Sequence, residues 1–217
     1  MDALGVGLAA VALLVAALAA AAACPQADDV AGALAPPDQQ ATLLCAVNAE
    51  RSAHALPALR ASQQLSLAAQ AHGDDMVARA FFDHVAPGGI TLSDRVRATG
   101  YLTGATRWQL GETIASAQDP LDTAAGFMAD WMASPPHREI ILDGAFRAVG
   151  IGVAEGLTDG SGGAGATVVL DFGARRLRSW RSRTRCARSV KASRRTRARC
   201  ASTSTRSKRS SPAPRPS

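Results

Sequence analysis

Two histidines and a glutamate hold the chemistry that this sequence offers. They are His84, Glu112 and His137, set in Phe82-Asp83-His84, Gly111-Glu112-Thr113 and Ser134-Pro135-Pro136-His137-Arg138. Imidazoles with a carboxylate can hold a divalent metal or move a proton. Ser134-Pro135 is a helix-start signal, and it places His137 at the third position of a short helix running through Leu142. There the positive end of the dipole disfavours protonation, and a neutral imidazole is the form that binds metal. Zinc takes three or four ligands, so two histidines and a carboxylate with an open position resemble a catalytic site more than a structural one. The spacing is diffuse. Three groups spread over 53 residues make no compact motif such as H-E-x-x-H, and by residue type alone they read as ordinary hydrogen-bonding groups.

The other polar candidates favour structural roles. Ser134 near His137 suggests a nucleophile and its base, but serine before proline at a helix start is far more often a cap. No committed nucleophile is present. His72 falls on the inward face of its helix as a core or cleft-edge histidine, and His54 at a helix end faces solvent. Asp74-Asp75 reads as a solvated pair, and Glu50 and Arg51 as a tether between helices. Trp108 and Trp131 are core aromatics or cleft walls.

Helices and strands must position these groups. Asp38 is a suitable N-cap for a helix over 39–54, with Leu43, Leu44, Ala46 and Val47 as its apolar stripe. Ser62 caps a second helix whose inward face is Leu65, Ala68, Ala69, His72 and Met76. Thr91 starts a short helix through Ala98, which Gly100 ends. Residues 108–115 read as a strand or extended loop. Asp119-Pro120 opens a helix with Ala124, Phe127, Met128 and Trp131 inward. Residues 146–154 and 167–172 read as strands joined across the glycine-rich 156–166. Helices first and paired strands last describe an α+β domain rather than a doubly wound sheet.

The ends differ from the body. Residues 1–23 are almost wholly Ala, Leu, Val and Gly, and Ala21-Ala22-Ala23 precedes Cys24. This is a signal peptide or an uncleaved anchor, although Asp2 is its only charge. Cys24 and Cys45 are an even pair in an exported body, which predicts a disulfide worth roughly 3 kcal/mol. The alternative is a lipoprotein with Cys24 lipidated at its N-terminus. Residues 24–37 read as a linker and 38–173 as the domain. The net charge of +6 conceals two opposed parts. Residues 174–217 carry 16 Lys and Arg and no acid, which leaves a charge of −10 on residues 1–173. The basic segment has no apolar periodicity and reads as a disordered tail or a shifted reading frame. Its single aromatic, Trp180, argues against nucleic-acid binding.

Six segments in order resemble a known family: VNAERSAHALPALR (47–60), AQAHGDDM (69–76), FFDH (81–84), GETIA (111–115), DWMASPPHREIIL (130–142) and VGIGVA (149–154). They are similar to bacterial secreted domains of the CAP superfamily (cysteine-rich secretory protein, antigen 5 and pathogenesis-related 1), also called SCP-like. The resemblance runs from about Asp38 to Gly173. It implies a three-layer α-β-α sandwich with a central antiparallel sheet and a polar cleft holding His84, Glu112 and His137. It also implies a divalent metal such as zinc on His84 and His137. The family's Gly-Glu-Asn is Gly-Glu-Thr here, its Pro-Gly-His-Arg is Pro-Pro-His-Arg, and Ser134 stands where eukaryotic members carry a second cleft acid. The expected function is a secreted, extracellular binding module for a lipid, peptide, wall component or protein. The alternative is a metal-assisted hydrolase of peptide or wall polymer with Glu112 as general base.

Overall fold

The computed structural model describes residues 24–118 and 121–177. Helical periods and caps in the sequence become five helices: α1 (Pro36–Ala53), α2 (Gln63–Arg79), α3 (Leu92–Ala98), α4 (Ala124–Ala133) and α5 (Pro135–Ile141). The Ser62 side chain accepts from Leu65 N and starts α2. Thr91 and Asp94 form a reciprocal capping box at α3, satisfying two donors that a helix start leaves bare. The strands are β1 (Arg60–Ala61), β2 (Ala105–Ala117), β3 (Ala148–Glu155) and β4 (Ala166–Leu177), ordered β1-β3-β4-β2 in one sheet.

β3 and β4 pair antiparallel, with Gly150 opposite Asp171 and Ile151 opposite Leu170. Thr106 Oγ1 donates to Arg176 O, and the Ser116 and Thr167 hydroxyls meet at 3.0 Å. Those two contacts run β2 antiparallel to β4 and bring Glu112 opposite Asp171. The two-residue β1 pairs parallel with β3.

Alternation along the strands divides the core into two layers. Val149, Ile151, Val168, Leu170 and Phe172 pack against α1, α4 and α5 through Val47, Phe127, Trp131 and Ile141. The opposite face takes α2 and α3, with Ala69 and Met76 against Ile114 and Val169. This is the α-β-α sandwich expected.

Two glycines allow α2 to lie directly on the sheet. A Cβ on Gly150 would stand 2.1 Å from the Leu65 carbonyl carbon, and one on Gly152 2.4 Å from that of Ala69. At this short separation α2 also closes the sheet edge beyond β1. Ser66 Oγ accepts from Ile151 N at 3.0 Å, and the Gln70 amide bonds both N and O of Val153. Side chains thus take the place of a neighbouring strand.

Several boundaries differ from the sequence expectation. α1 begins at Pro36 with Ala35 as its N-cap, so Asp38 sits inside the first turn. Thr123, not Asp119, caps α4, its hydroxyl accepting from Gly126 N; Asp119 and Pro120 lie outside the described residues. Ser134 does occupy the N-cap of α5, but its side chain makes no capping bond. The segment 24–37 is no free linker. Cys24 and Ala27 are buried, Ala31–Ala33 form a 3-10 turn, and Val30 bridges Thr123. The Cys24–Cys45 disulfide fastens it to α1. β4 passes Gly173 and runs to Leu177, because Arg175 lies over the Tyr101 ring at 4.2 Å and Arg176 O takes the Thr106 bond. The expected signal or anchor segment, and the tail beyond Leu177, lie outside the described residues.

Gly150→Ala should cost about 3 kcal/mol or more, since the new methyl meets helix backbone rather than a side chain that can turn away. Urea unfolding checks this. A midpoint unchanged from wild type would mean that α2 does not need its close seat.

Candidate functional site

Glu112 is the centre of the site. The Ile114 side chain packs on the α2 face of the sheet, and by the two-residue alternation Glu112 points the same way. The residue before it matters as much. A Cβ on Gly111 would stand 2.9 Å from the Phe146 ring and 3.1 Å from Ile140 Cγ2. Glycine therefore lets β2 approach α5 on one face while presenting Glu112 on the other. Thr113 is fully buried with its hydroxyl unpartnered, so the Gly-Glu-Thr variant has no hydrogen bond where an asparagine amide would need several.

Glu112 is buried, and both its oxygens are engaged. Oε1 accepts from His84 Nδ1 at 2.8 Å and Oε2 from Arg95 Nη2 at 2.5 Å. Burial alone would raise its pKa. The His84 bond and the Arg95 charge outweigh that and hold Glu112 below the ordinary carboxylate value. Arg95 projects from α3, and its other terminal nitrogen donates to the carbonyls of His84 and Ile90. One guanidinium thus fixes both the carboxylate and the backbone of the loop that carries His84. Removing either partner of such a buried pair typically costs about 3–5 kcal/mol.

His84 is the exposed end of this chain, its side chain 53% accessible against 3% for Glu112. Its bond to Glu112 raises its pKa despite partial burial. Because Nδ1 is committed to the carboxylate, Nε2 is left to face outward. His137 arrives from the other helical layer, on α5. Burial lowers its pKa first and the charge of His84 second. The direction is the one the sequence predicts, and burial and the His84 charge contribute to it.

Two further residues adjoin Glu112 and His84. Asp171, opposite Glu112, is fully buried, and its carboxyl interacts with that of Glu112. Burial first and the neighbouring Glu112 second raise its pKa well above the usual range, so Asp171 is the neutral acid beside an anionic Glu112. His72 is buried, and its Nε2 donates to Asp83 O at 2.9 Å, fixing the residue next to His84. Burial keeps it neutral. Composition and spacing gave no sign of Arg95. Asp171 did leave one, an acid inside the apolar strand TVVLDF.

His84 and Glu112 meet directly, with unlike access, whereas His137 makes no hydrogen bond or ion pair with either among the described residues. Glu112 supports His84 from within. His72 has the core role expected of it. Arg51 is the tether foreseen, donating to Pro57 O and Ile141 O. His54 stays at the end of α1 against Glu50. Trp131 is a core residue, its indole donating to Ile114 O at 3.2 Å, but Trp108 is 45% exposed rather than buried. Among the described residues no three His, Cys, Asp or Glu side chains converge as a metal-binding group. The donor chemistry nevertheless suits a two-histidine site, because a metal-binding imidazole usually donates its second nitrogen to a carboxylate, as His84 does to Glu112.

Residues 44–172 match the model of the Cysteine-rich secretory protein family, CAP. The chain is 34% identical over 110 residues to YkwD, an uncharacterized protein of Bacillus subtilis, covering 50% of this chain and 39% of that protein. A crystal structure of an extracellular protein containing an SCP domain, from Bacillus anthracis, aligns with a TM-score of 0.50 at 26% identity. That alignment covers 67% of this chain and 44% of the other. An outer surface protein of Borrelia burgdorferi shares the fold at a TM-score of 0.50 and 19% identity, covering 62% and 90%. The chain thus spans less than half of both Bacillus relatives.

Asp171 has a raised folded pKa, so the stability it contributes is complete below the ordinary carboxylate range and declines as pH rises towards its folded value. Asp171→Asn keeps the shape and removes the proton. Its melting temperature should exceed wild type near neutral pH, and the gain should shrink as pH falls to about 4. A pH-independent difference in calorimetric scans would contradict the buried neutral acid.

Proposed function

The chain belongs to the cysteine-rich secretory protein (CAP) family, and from that membership we propose an exported, extracellular binding module with a two-histidine divalent-metal cleft. One observation supports this above the others: buried Glu112 holds Nδ1 of half-exposed His84 at 2.8 Å, which leaves Nε2 as an oriented outward donor. His84 and His137 would hold the ion, zinc being the natural candidate for two imidazoles. Glu112 would orient His84 rather than ligate, since both its oxygens are occupied. The metal when bound would supply an electrophilic centre with open positions for a partner's oxygen or nitrogen. Lipid, peptide and wall component are the partner classes considered, and export agrees with the extracellular and outer-surface neighbours. The hydrolytic alternative has less support, because Glu112 is buried and each of its oxygens already accepts a hydrogen bond.

Calorimetry of the full chain with zinc should show one site in the micromolar range. His84→Ala and His137→Ala should each weaken it at least tenfold. Glu112→Gln should weaken it about 10- to 100-fold by releasing the His84 ring. Titrations indistinguishable from wild type in both histidine variants would defeat the metal reading.

A further inference from the structure

We propose that the free edge of β2 at residues 106–110 docks an extended peptide bearing alternate acidic and apolar side chains, which joins the sheet as a fifth strand. The two edges of the sheet are treated differently. On the β3 side Ser66 and Gln70 satisfy the open backbone. On the other side β2 is thirteen residues long and, among the described residues, has a strand neighbour only in β4. Its second half is closed: residues 112–114 are buried and the Trp131 indole takes the Ile114 carbonyl. Its first half is open. Residues 106–109 are exposed, and no backbone group of 106–111 bonds to anything outside the sheet among the described residues. An unpaired strand edge is a template for another chain, main-chain bonds giving affinity and alternate side chains giving selectivity.

The side chains along this edge define the partner. The first 173 residues carry −10, yet this edge is basic. Arg107 is exposed on the strand, Arg97 sits 5.7 Å from the Trp108 ring, and the Thr106 bond brings Arg176 alongside. Two acids adjoin this edge: Asp94, 3.8 Å from Arg97, and Asp143, which accepts from the Gln109 amide at 2.6 Å. Arg107 and Trp108 project to opposite faces, so an added strand would set acidic groups against Arg107 and apolar groups against Trp108. A peptide is favoured over a nucleic acid because the open groups are alternating backbone donors and acceptors. The strand leads directly into Gly111-Glu112, which would carry the docked segment towards His84; only this last step rests on the function proposed above. Docking needs no metal, so it is tested in EDTA, and its failure is separable from failure of the zinc titration.

The probe is a peptide of about seven residues alternating Glu and Val, titrated into the isotopically labelled full chain. Saturable amide shifts and slowed hydrogen exchange confined to 106–111 are expected. Methylating alternate peptide amides should weaken binding about tenfold or more, as expected for lost main-chain bonds. Arg107→Glu, at an exposed position, should weaken it similarly and prefer the same peptide with Lys in place of Glu. Unmoved amides, or equal affinity for the methylated peptide, would overturn the proposal. So would sedimentation showing a dimer that protects the same amides, since the edge would then belong to a second copy.

Discussion

A single buried carboxylate organises this molecule's polar side. Glu112 is taken from water with its charge intact, and that is tolerable only because Arg95 and His84 each bond one of its oxygens. Arg95 is itself tied to two carbonyls of the loop between α2 and α3. The helix α3, the loop and the edge strand are therefore mutually fixed through one ion pair. A second anion directly opposite would be prohibitive, and Asp171 meets that constraint by keeping its proton.

Packing without side chains complements this charge network. Gly150 and Gly152 let α2 touch the sheet backbone, and Gly111 lets α5 touch β2. The same closeness lets α2 side chains replace a missing strand along β3. β2 has no such cover over its first half.

Much of the architecture was legible in the chain. Ser62 and Thr91 announced helices through local capping chemistry, and the alternation of 146–154 and 167–172 announced the central strands. Local signals failed where tertiary partners override them. Asp38 and Asp119 are good caps by type, but Pro36 and Thr123 stand where the chain turns into each helix. The segment 24–37 looked like a linker by composition, yet its disulfide and the Val30–Thr123 bridge hold it on the core. The basic residues after Gly173 looked foreign to the fold, but β2 supplies a partner strand as far as Arg176.

What the sequence by itself determined is the α+β class, the order of the main elements, an even cysteine pair in Cys24 and Cys45, and a set of ordered motifs that single out His84, Glu112 and His137. These follow from periodicity, cysteine count and ordered motifs, all readable within short windows. Only the tertiary structure decided what His84 and Glu112 do. Burial and register are properties of strands far apart in sequence. They alone made Glu112 an internal support, Asp171 a neutral acid opposite it, and His84 the residue left facing out.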